Sequence, residues 1–152
     1  KMAYSEDDKV VVYQHPIQIP ETLESSIESC SLVSTAITFN LALANHLSGV
    51  QSKSKATLET AARLYEYGFS LERIRGRFFV SPLFLVSILN NLGHLHRTVE
   101  DLDRSAKCFR QLLSTLLYLT QVRGANPKDL EVFFGNTSLG LSHNCFQCAG
   151  AA

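Results

Sequence analysis

The sequence has no excess of charge of either sign, since 14 basic side chains balance 14 acidic ones in 152 residues. Such a balance gives no overall attraction to nucleic acid or to an anionic membrane surface. Long hydrophobic runs are also lacking: Ser81-Pro82 and Ser114-Thr115 interrupt the two richest stretches, and neither stretch approaches the ~20 residues that span a bilayer. We therefore expect neither nucleic-acid binding nor membrane insertion.

Cysteine is scarce, with Cys30, Cys108, Cys145 and Cys148 as its only four positions. Four irregularly spaced cysteines are too few for a disulfide framework in a chain of this length. Reduced thiols in an intracellular, cytoplasmic setting are the expectation. No secretory leader is visible, and a targeting leader removed ahead of Lys1-Met2 is compatible with this start.

Motifs that carry chemistry are missing as well. The sequence has no Gly-rich phosphate-binding loop, no nucleophile elbow, no His-Glu-x-x-His and no Glu-x-x-His. His94 and His96 cannot share a metal ion, because residues two apart on a helix point about 200° apart. We expect no enzymatic activity, no catalytic residue, no metal and no cofactor.

One constellation leaves an alternative open. Cys145-x-x-Cys148 lies close to His143 and could supply three zinc ligands or a redox pair. A structural zinc site needs a fourth ligand, and Cys30 and Cys108 do not form a second pair. Cysteines without a shared role on a terminal segment are the plainer expectation.

Most of the chain predicts helices, because apolar residues recur every three to four positions. Gly49 is a typical helix end, Ser81-Pro82 a typical helix start, and Asn126-Pro127 another. The short connections favour antiparallel neighbours. The predicted fold is all-α, with one helical domain over 21–152. Its predicted helices cover 32–48, 55–75, 82–98, 101–121 and 127–143.

Residues 1–20 differ from the rest and predict an extended N-terminal arm. Val10-Val11-Val12-Tyr13 is β-branched and aromatic, and Pro16 and Pro20 are incompatible with a helix interior. The sequence shows no partner strand. We therefore expect the arm to lie on the helices.

Small residues recur at positions where paired helices would touch. Gly93 stands late in the third helix, and Ser105 and Phe109 follow in the fourth. A looser copy of the same pattern lies upstream, and internal similarity of this kind is a strong indication of architecture. The signature residues of both copies are Leu41, Ala42, Ala61, Tyr65, Gly68, Leu92, Gly93, Ser105 and Phe109.

This pattern resembles the tetratricopeptide repeat, TPR. The resemblance implies a right-handed stack of antiparallel hairpins over about 32–121, with the fifth helix as a terminal lid. Asn40 to Asn91 spans 51 positions and Ala61 to Ser105 spans 44, against about 34 in the family. The chain is therefore similar to a divergent, TPR-like member.

The resemblance also implies a function: a concave surface, lined by the first helix of each pair, that binds an extended or helical peptide. We expect a non-enzymatic protein–protein interaction module, a scaffold or adaptor, whose partner is another protein. Transferred to this chain, the partner-binding groove comprises Phe39, Leu43, His46, Ser87, Asn90, His94 and Arg97.

Two contacts beyond the groove can be predicted. Phe39 and Leu43 are too apolar to face water, since burying each stabilises by about 1.5–3 kcal/mol. We expect residues 10–20 to cover them, with apolar contacts from Val12, Ile17 and Ile19. Self-association would use the fifth helix, through exposed residues such as Phe133 or Phe134.

A binder of small ligands or cofactors is the alternative function. Asn40, Asn91 and His94 would be its polar anchors, converging in an enclosed pocket between the first and third helices. The plainer interpretation of Asn40 and Asn91 is hydrogen bonding between helices.

Overall fold

The computed structural model describes residues 10–19, 27–74 and 82–148. Within these residues the chain forms five α-helices and one short 3-10 helix, and no strand. The all-α prediction is therefore confirmed. The helices are α1 (Ile27–Ser52), α2 (Lys55–Ile74), α3 (Pro82–Thr98), α4 (Leu102–Gln121) and α5 (Glu131–Cys148), with the 3-10 helix over Pro127–Leu130.

None of these helices combines the length and the apolar character needed to cross a bilayer, a finding that holds for the described part of the chain. The start of α3 at Pro82 and its end at Thr98 agree with prediction. The role of Ser81 in that start lies outside the described residues, as do 1–9 and 20–26 of the predicted N-terminal region.

The predicted bounds of α1 and α5, 32–48 and 127–143, are wrong at both ends of each helix. α1 runs from Ile27 to Ser52 and continues through Gly49, where the prediction ended it. A Cβ atom at Gly49 would lie 2.8 Å from Cδ2 of Leu58, so this glycine permits the close approach of α2. At the other end, α5 continues to Cys148, past the predicted end at residue 143.

Side-chain caps define the connections on both sides of α4. The Asp101 carboxylate accepts a hydrogen bond from the Arg104 N–H at 3.1 Å, as expected of a helix N-cap. Gly124 follows α4 with φ of +67°, a left-handed conformation that glycine adopts without steric cost. The side-chain oxygen of Asn126 then accepts from the Lys128 N–H at 3.1 Å and begins the 3-10 helix.

The chain divides into two compact units. Among the described residues, the first unit comprises 10–13 and 89–148, and the second comprises 14–19, 27–74 and 82–88. The junction between residues 88 and 89 falls inside α3. The sequence-based division between 1–20 and 21–152 stays a prediction.

An aromatic cluster forms the core of the second unit. The ring of Phe39 lies 5.7 Å from the ring of Tyr65 and 5.6 Å from that of Phe84, centroid to centroid. His46 meets Tyr65 edge to face at 5.9 Å, a favourable arrangement of aromatic rings. Ala42 and Ala61 are fully buried.

In the first unit, two glycines approach the ring of Phe109. A Cβ atom on Gly93 would lie 2.7 Å from Cζ of Phe109, and one on Gly140 would overlap the same ring. The buried Ser105 hydroxyl donates to the carbonyl of Gly93 at 2.8 Å. Small residues thus bring α3, α4 and α5 together around one aromatic side chain.

Eight of the nine signature residues are buried, and Leu41 is the exception, with 51% of its surface exposed. Leu41 follows Phe39 by two positions and therefore points about 200° away from it. Ile37 shares its exposure. Within α1, the buried stripe includes Phe39, Ala42 and His46.

Candidate functional site

Residues 10–19 form neither helix nor strand. Their backbone is instead bonded to asparagine side chains that project from helices. Three residues, Val11, Tyr13 and Ile17, take part through both their N–H and their C=O groups. We call residues 10–19 the N-terminal segment.

In the second unit, Asn40 of α1 pairs with Ile17. The Ile17 N–H donates to the side-chain oxygen of Asn40 at 2.8 Å. The Asn40 amide nitrogen donates to the Ile17 carbonyl at 2.9 Å. A primary amide offers an acceptor and a donor side by side, so it reproduces the pairing that a neighbouring strand would provide.

The first unit repeats this arrangement twice. The Tyr13 N–H donates to the side-chain oxygen of Asn91 at 2.8 Å, and the Asn91 amide nitrogen donates to the Tyr13 carbonyl at 3.0 Å. The Val11 N–H donates to Asn136 of α5 at 2.9 Å, and Asn136 returns a 2.7 Å bond to the Val11 carbonyl.

Asn90 joins the two pairs of the first unit. Its amide nitrogen donates to the Val11 carbonyl at 2.9 Å and to the side-chain oxygen of Asn91 at 3.1 Å. Its own oxygen accepts from Asn136 at 2.7 Å. We call Asn90, Asn91 and Asn136 the amide cluster. At most 2% of the surface of each of the three residues is exposed.

The amide cluster is held rigidly. Buried polar groups are costly when unpaired, and here each side chain is bonded both to the N-terminal segment and to another member of the cluster. Connected networks of this kind favour one geometry. Asparagine is also a poor choice for a helix interior, so its use at three buried helical positions indicates a role beyond helix formation.

Side chains of the N-terminal segment contact the helices to different extents. Val10 is buried, and the Tyr13 ring lies 5.5 Å from the ring of Phe133, centroid to centroid. Burial raises the pKa of the Tyr13 hydroxyl. By contrast, Val11 is 53% exposed and Ile19 38% exposed. At Val11 the contact therefore depends mainly on peptide groups.

The bonded residues are all odd-numbered. Successive residues of an extended chain turn their peptide groups to opposite edges, so 11 and 13 present the same edge to the first unit. Pro16 has no N–H and directly precedes Ile17, whose N–H and C=O are both bonded to Asn40. The proline is therefore compatible with the bonds of the residue that follows it.

The predicted groove is only partly related to this site. Phe39 and His46 are buried, and both rings meet that of Tyr65. The expectation that residues 10–20 cover Phe39 and Leu43 stays a prediction, and the backbone of Ile17 bonds to Asn40 of the same helix. Leu43 and Ser87 are buried too, and the Ser87 hydroxyl donates to the Leu83 carbonyl of its own helix.

Three groove residues come from the first unit. Asn90 belongs to the amide cluster and bonds to the segment. Arg97 is half-buried, and its guanidinium donates to the Leu139 carbonyl at 3.5 Å. His94 is half-buried as well. Its desolvation, and then the positive charge of Arg97, lower its pKa to about 4.

The predicted arm contacts and the predicted self-association surface need correction. The link between the segment and α1 is the backbone of Ile17, and Ile19 is exposed instead of packed. Val12 is half-buried. Phe133 is buried beside Tyr13, so it is not an exposed contact for a second copy, and Phe134 is half-buried.

The roles of the asparagines were only partly visible in the sequence. Asn40 and Asn91 were expected to bond between helices, whereas their amides bond to the N-terminal segment. No pattern in the sequence indicates the role of Asn136. The available signal was the presence of uncharged amides inside three apolar helices, but the partner of Asn136 lies 125 positions away.

Among the described residues, no group of three or more His, Cys, Asp or Glu side chains could hold a metal ion. The backbone of α5 runs through Cys145 and Cys148. The side chains of His143, Cys145 and Cys148 lie outside the described residues, so a zinc or redox role for them stays a prediction.

Comparison with protein-family models, with curated proteins and with solved structures finds no match for this chain. The similarity to the tetratricopeptide repeat therefore depends on the motif residues alone.

Proposed function

We propose that this protein is a non-enzymatic interaction module that binds an extended segment of a partner protein by its backbone. One observation carries the proposal: at Val11, Tyr13 and Ile17, a single asparagine side chain bonds both the N–H and the C=O of the same residue. An extended polypeptide presents the N–H and the C=O of one residue side by side, and each asparagine amide bonds to both.

The chemistry of the amide cluster favours a polypeptide over other ligands. Its three side chains are uncharged, and their acceptors and donors alternate to match peptide groups two residues apart. Each hydrogen bond contributes a net ~0.5–1.5 kcal/mol. Association costs at least ~4 kcal/mol, so backbone bonds alone support a weak, reversible complex, and side-chain contacts must set its specificity.

The TPR-like stacking of the hairpins, a scaffold or adaptor role and a cytoplasmic location belong to the same proposal. What supports the stacking is the close approach at Gly93 and the burial of Ala42, Ala61 and Ser105. No cofactor or metal is required for the proposed binding, because side-chain amides provide all of its polar contacts.

A selection from random ten-residue peptides displayed on phage tests the proposal. We expect the full chain, or a chain lacking residues 1–19, to enrich peptides whose binding weakens about tenfold or more in Asn91→Ala. Asn45→Ala is the matched control, because the Asn45 amide donates to the Leu41 carbonyl of its own helix. Failure of both chains to enrich any peptide would refute the proposed function.

A further inference from the structure

From the same contacts we infer that the N-terminal segment is a built-in competitor, occupying the position that a partner's segment takes. The inference rests on the proposed function and adds its regulation and the class of its ligand. The ligand is an extended, backbone-presented segment that resembles residues 10–19 themselves. Binding of such a partner requires release of the protein's own segment.

The segment is attached in a way that allows exchange. The backbone bonds of Val11, Tyr13 and Ile17 run to asparagine side chains and not to the backbone of the helices. Val11 is bonded twice through its backbone, yet its side chain is 53% exposed. A different sequence with the same peptide groups could therefore make the same bonds.

The bonded peptide groups determine which sequences fit the first unit. A ligand must supply an N–H at the positions of Val11 and Tyr13, so proline is excluded at these two. Proline is accepted directly before a bonded residue, as Pro16 before Ile17 demonstrates. An aromatic residue in the place of Tyr13 would gain the contact with Phe133.

A partner's segment must compete with an N-terminal segment that is tethered to the same chain as the site. A tethered segment acts at an effective concentration in the millimolar range. The apparent dissociation constant of a partner equals its intrinsic value divided by the fraction of chains whose site is open. Weakening the segment without altering the amide cluster should therefore strengthen binding in trans.

Two proline substitutions in the full chain form a matched pair. Val11→Pro removes the N–H that donates to Asn136, whereas Val12→Pro removes an N–H on the other edge. Both replace valine, and Val12 is the less exposed of the two, so loss of side-chain contacts alone would make Val12→Pro the more disruptive change.

The probe is a fluorescent synthetic peptide that copies residues 10–19, titrated by anisotropy. We expect Val11→Pro to bind it about tenfold more tightly than wild type, the fold-change of one lost hydrogen bond to a buried acceptor. Val12→Pro should resemble wild type. Equal affinities for the two variants, or no binding by either, would overturn the inference.

A second measurement uses the unmodified chain. Excess copy peptide should accelerate hydrogen exchange at the protein's own Val11, Tyr13 and Ile17 amides, because displacement exposes them. A peptide N-methylated at Tyr13 should have no such effect, whereas N-methylation at Gln14, on the other edge, should leave the effect intact.

These outcomes distinguish failure of the competitor role from failure of the proposed function. Selected peptides that bind wild type in an Asn91-dependent manner, yet leave the exchange of residues 10–19 unchanged, would overturn the competitor role and leave the proposed function standing. A selection without any binder would remove the proposed function itself.

Discussion

The ring of Phe109 illustrates how single residues determine the first unit. Gly93 and Gly140 both leave space that this ring fills, and the Ser105 hydroxyl bonds to the backbone beside it. The sequence identified Gly93, Ser105 and Phe109 because they follow a helical-hairpin pattern. No pattern marks Gly140, because one sequence cannot reveal which glycine contacts an aromatic ring.

Replacement of Gly93 by alanine should destabilise the protein by about 1–2 kcal/mol. The added Cβ would lie 2.7 Å from Phe109, and overpacking of ~1–3 kcal/mol exceeds the gain of up to ~1 kcal/mol from better helix propensity. Gly135→Ala is the control, since Gly135 is an exposed α5 residue with nothing within 4 Å of its added Cβ.

Urea unfolding followed by circular dichroism measures both variants. We expect a lower free energy of unfolding for Gly93→Ala and an unchanged or higher one for Gly135→Ala. If Gly93→Ala were the more stable of the two, the close approach at Phe109 would not limit packing.

His94 should make stability depend on pH. Its folded-state pKa of about 4 lies below its ordinary value of 6.5, so between these values the unfolded chain binds more protons. The contribution of neutral His94 to the free energy of unfolding is fully present above pH 6.5 and is lost as the pH falls towards 4. The full shift corresponds to ~3 kcal/mol, and partial exposure reduces our expectation to about 2 kcal/mol.

Urea unfolding of wild type and His94→Gln between pH 4 and pH 8 isolates this contribution. The difference in free energy of unfolding should change across the interval from pH 6.5 to pH 4 and stay constant above it. A difference independent of pH would show that burial of His94 does not disfavour its charged form.

At the scale of elements, local patterns predict the helices well and their faces less well. Periodicity predicts α3 at Pro82–Thr98, because it depends on neighbouring residues. The same periodicity places Leu41 among the buried signature residues and does not predict the exposure of Ile37, whereas both side chains are exposed. A helix rich in apolar residues has no clear polar face that would indicate its orientation.

The bonds between asparagine side chains and the N-terminal segment are the least predictable feature of the structure. The hydrogen bonds of Asn40, Asn91 and Asn136 join residues 23, 78 and 125 positions apart. Spacing within one helix carries no information about such distant partners. A buried amide in an apolar helix indicates that some partner exists, but tertiary structure decides which one.

Asn40→Ala tests the attachment of the segment to α1. Loss of both amide bonds to Ile17 should accelerate hydrogen exchange of the Ile17 amide by about tenfold or more. Asn45→Ala on the same helix should leave that exchange unchanged, because Asn45 bonds within α1. If NMR showed equal hydrogen exchange of the Ile17 amide in the two variants, the pairing of Asn40 with Ile17 would be contradicted.

At the scale of the whole chain, the two compact units are not consecutive in sequence. The first combines residues near the N-terminus with the C-terminal helices, and α3 supplies residues to both units. Length and composition led to a single helical domain preceded by an arm, because neither reports which distant segments pack together.

Deletion of residues 1–19 should lower the free energy of unfolding by about 2–4 kcal/mol. The deletion removes the buried Val10, the Tyr13 contact with Phe133, and the backbone bonds to the amide cluster, losses of about 1–2 kcal/mol each. The conformational entropy that the segment no longer loses on folding offsets part of their sum. Deletion of residues 1–9 alone is the comparison that isolates residues 10–19. Identical urea midpoints for the two deletions would show that the segment adds nothing to stability.

Recognition of peptide groups leaves the register of the N-terminal segment to its side chains. Every residue other than proline carries the same N–H and C=O groups, so a chain displaced along the amide cluster would offer it equivalent hydrogen bonds. Such a displacement changes which side chain meets the Phe133 ring in place of Tyr13. The register of residues 10–13 therefore depends on that ring contact and on the burial of Val10.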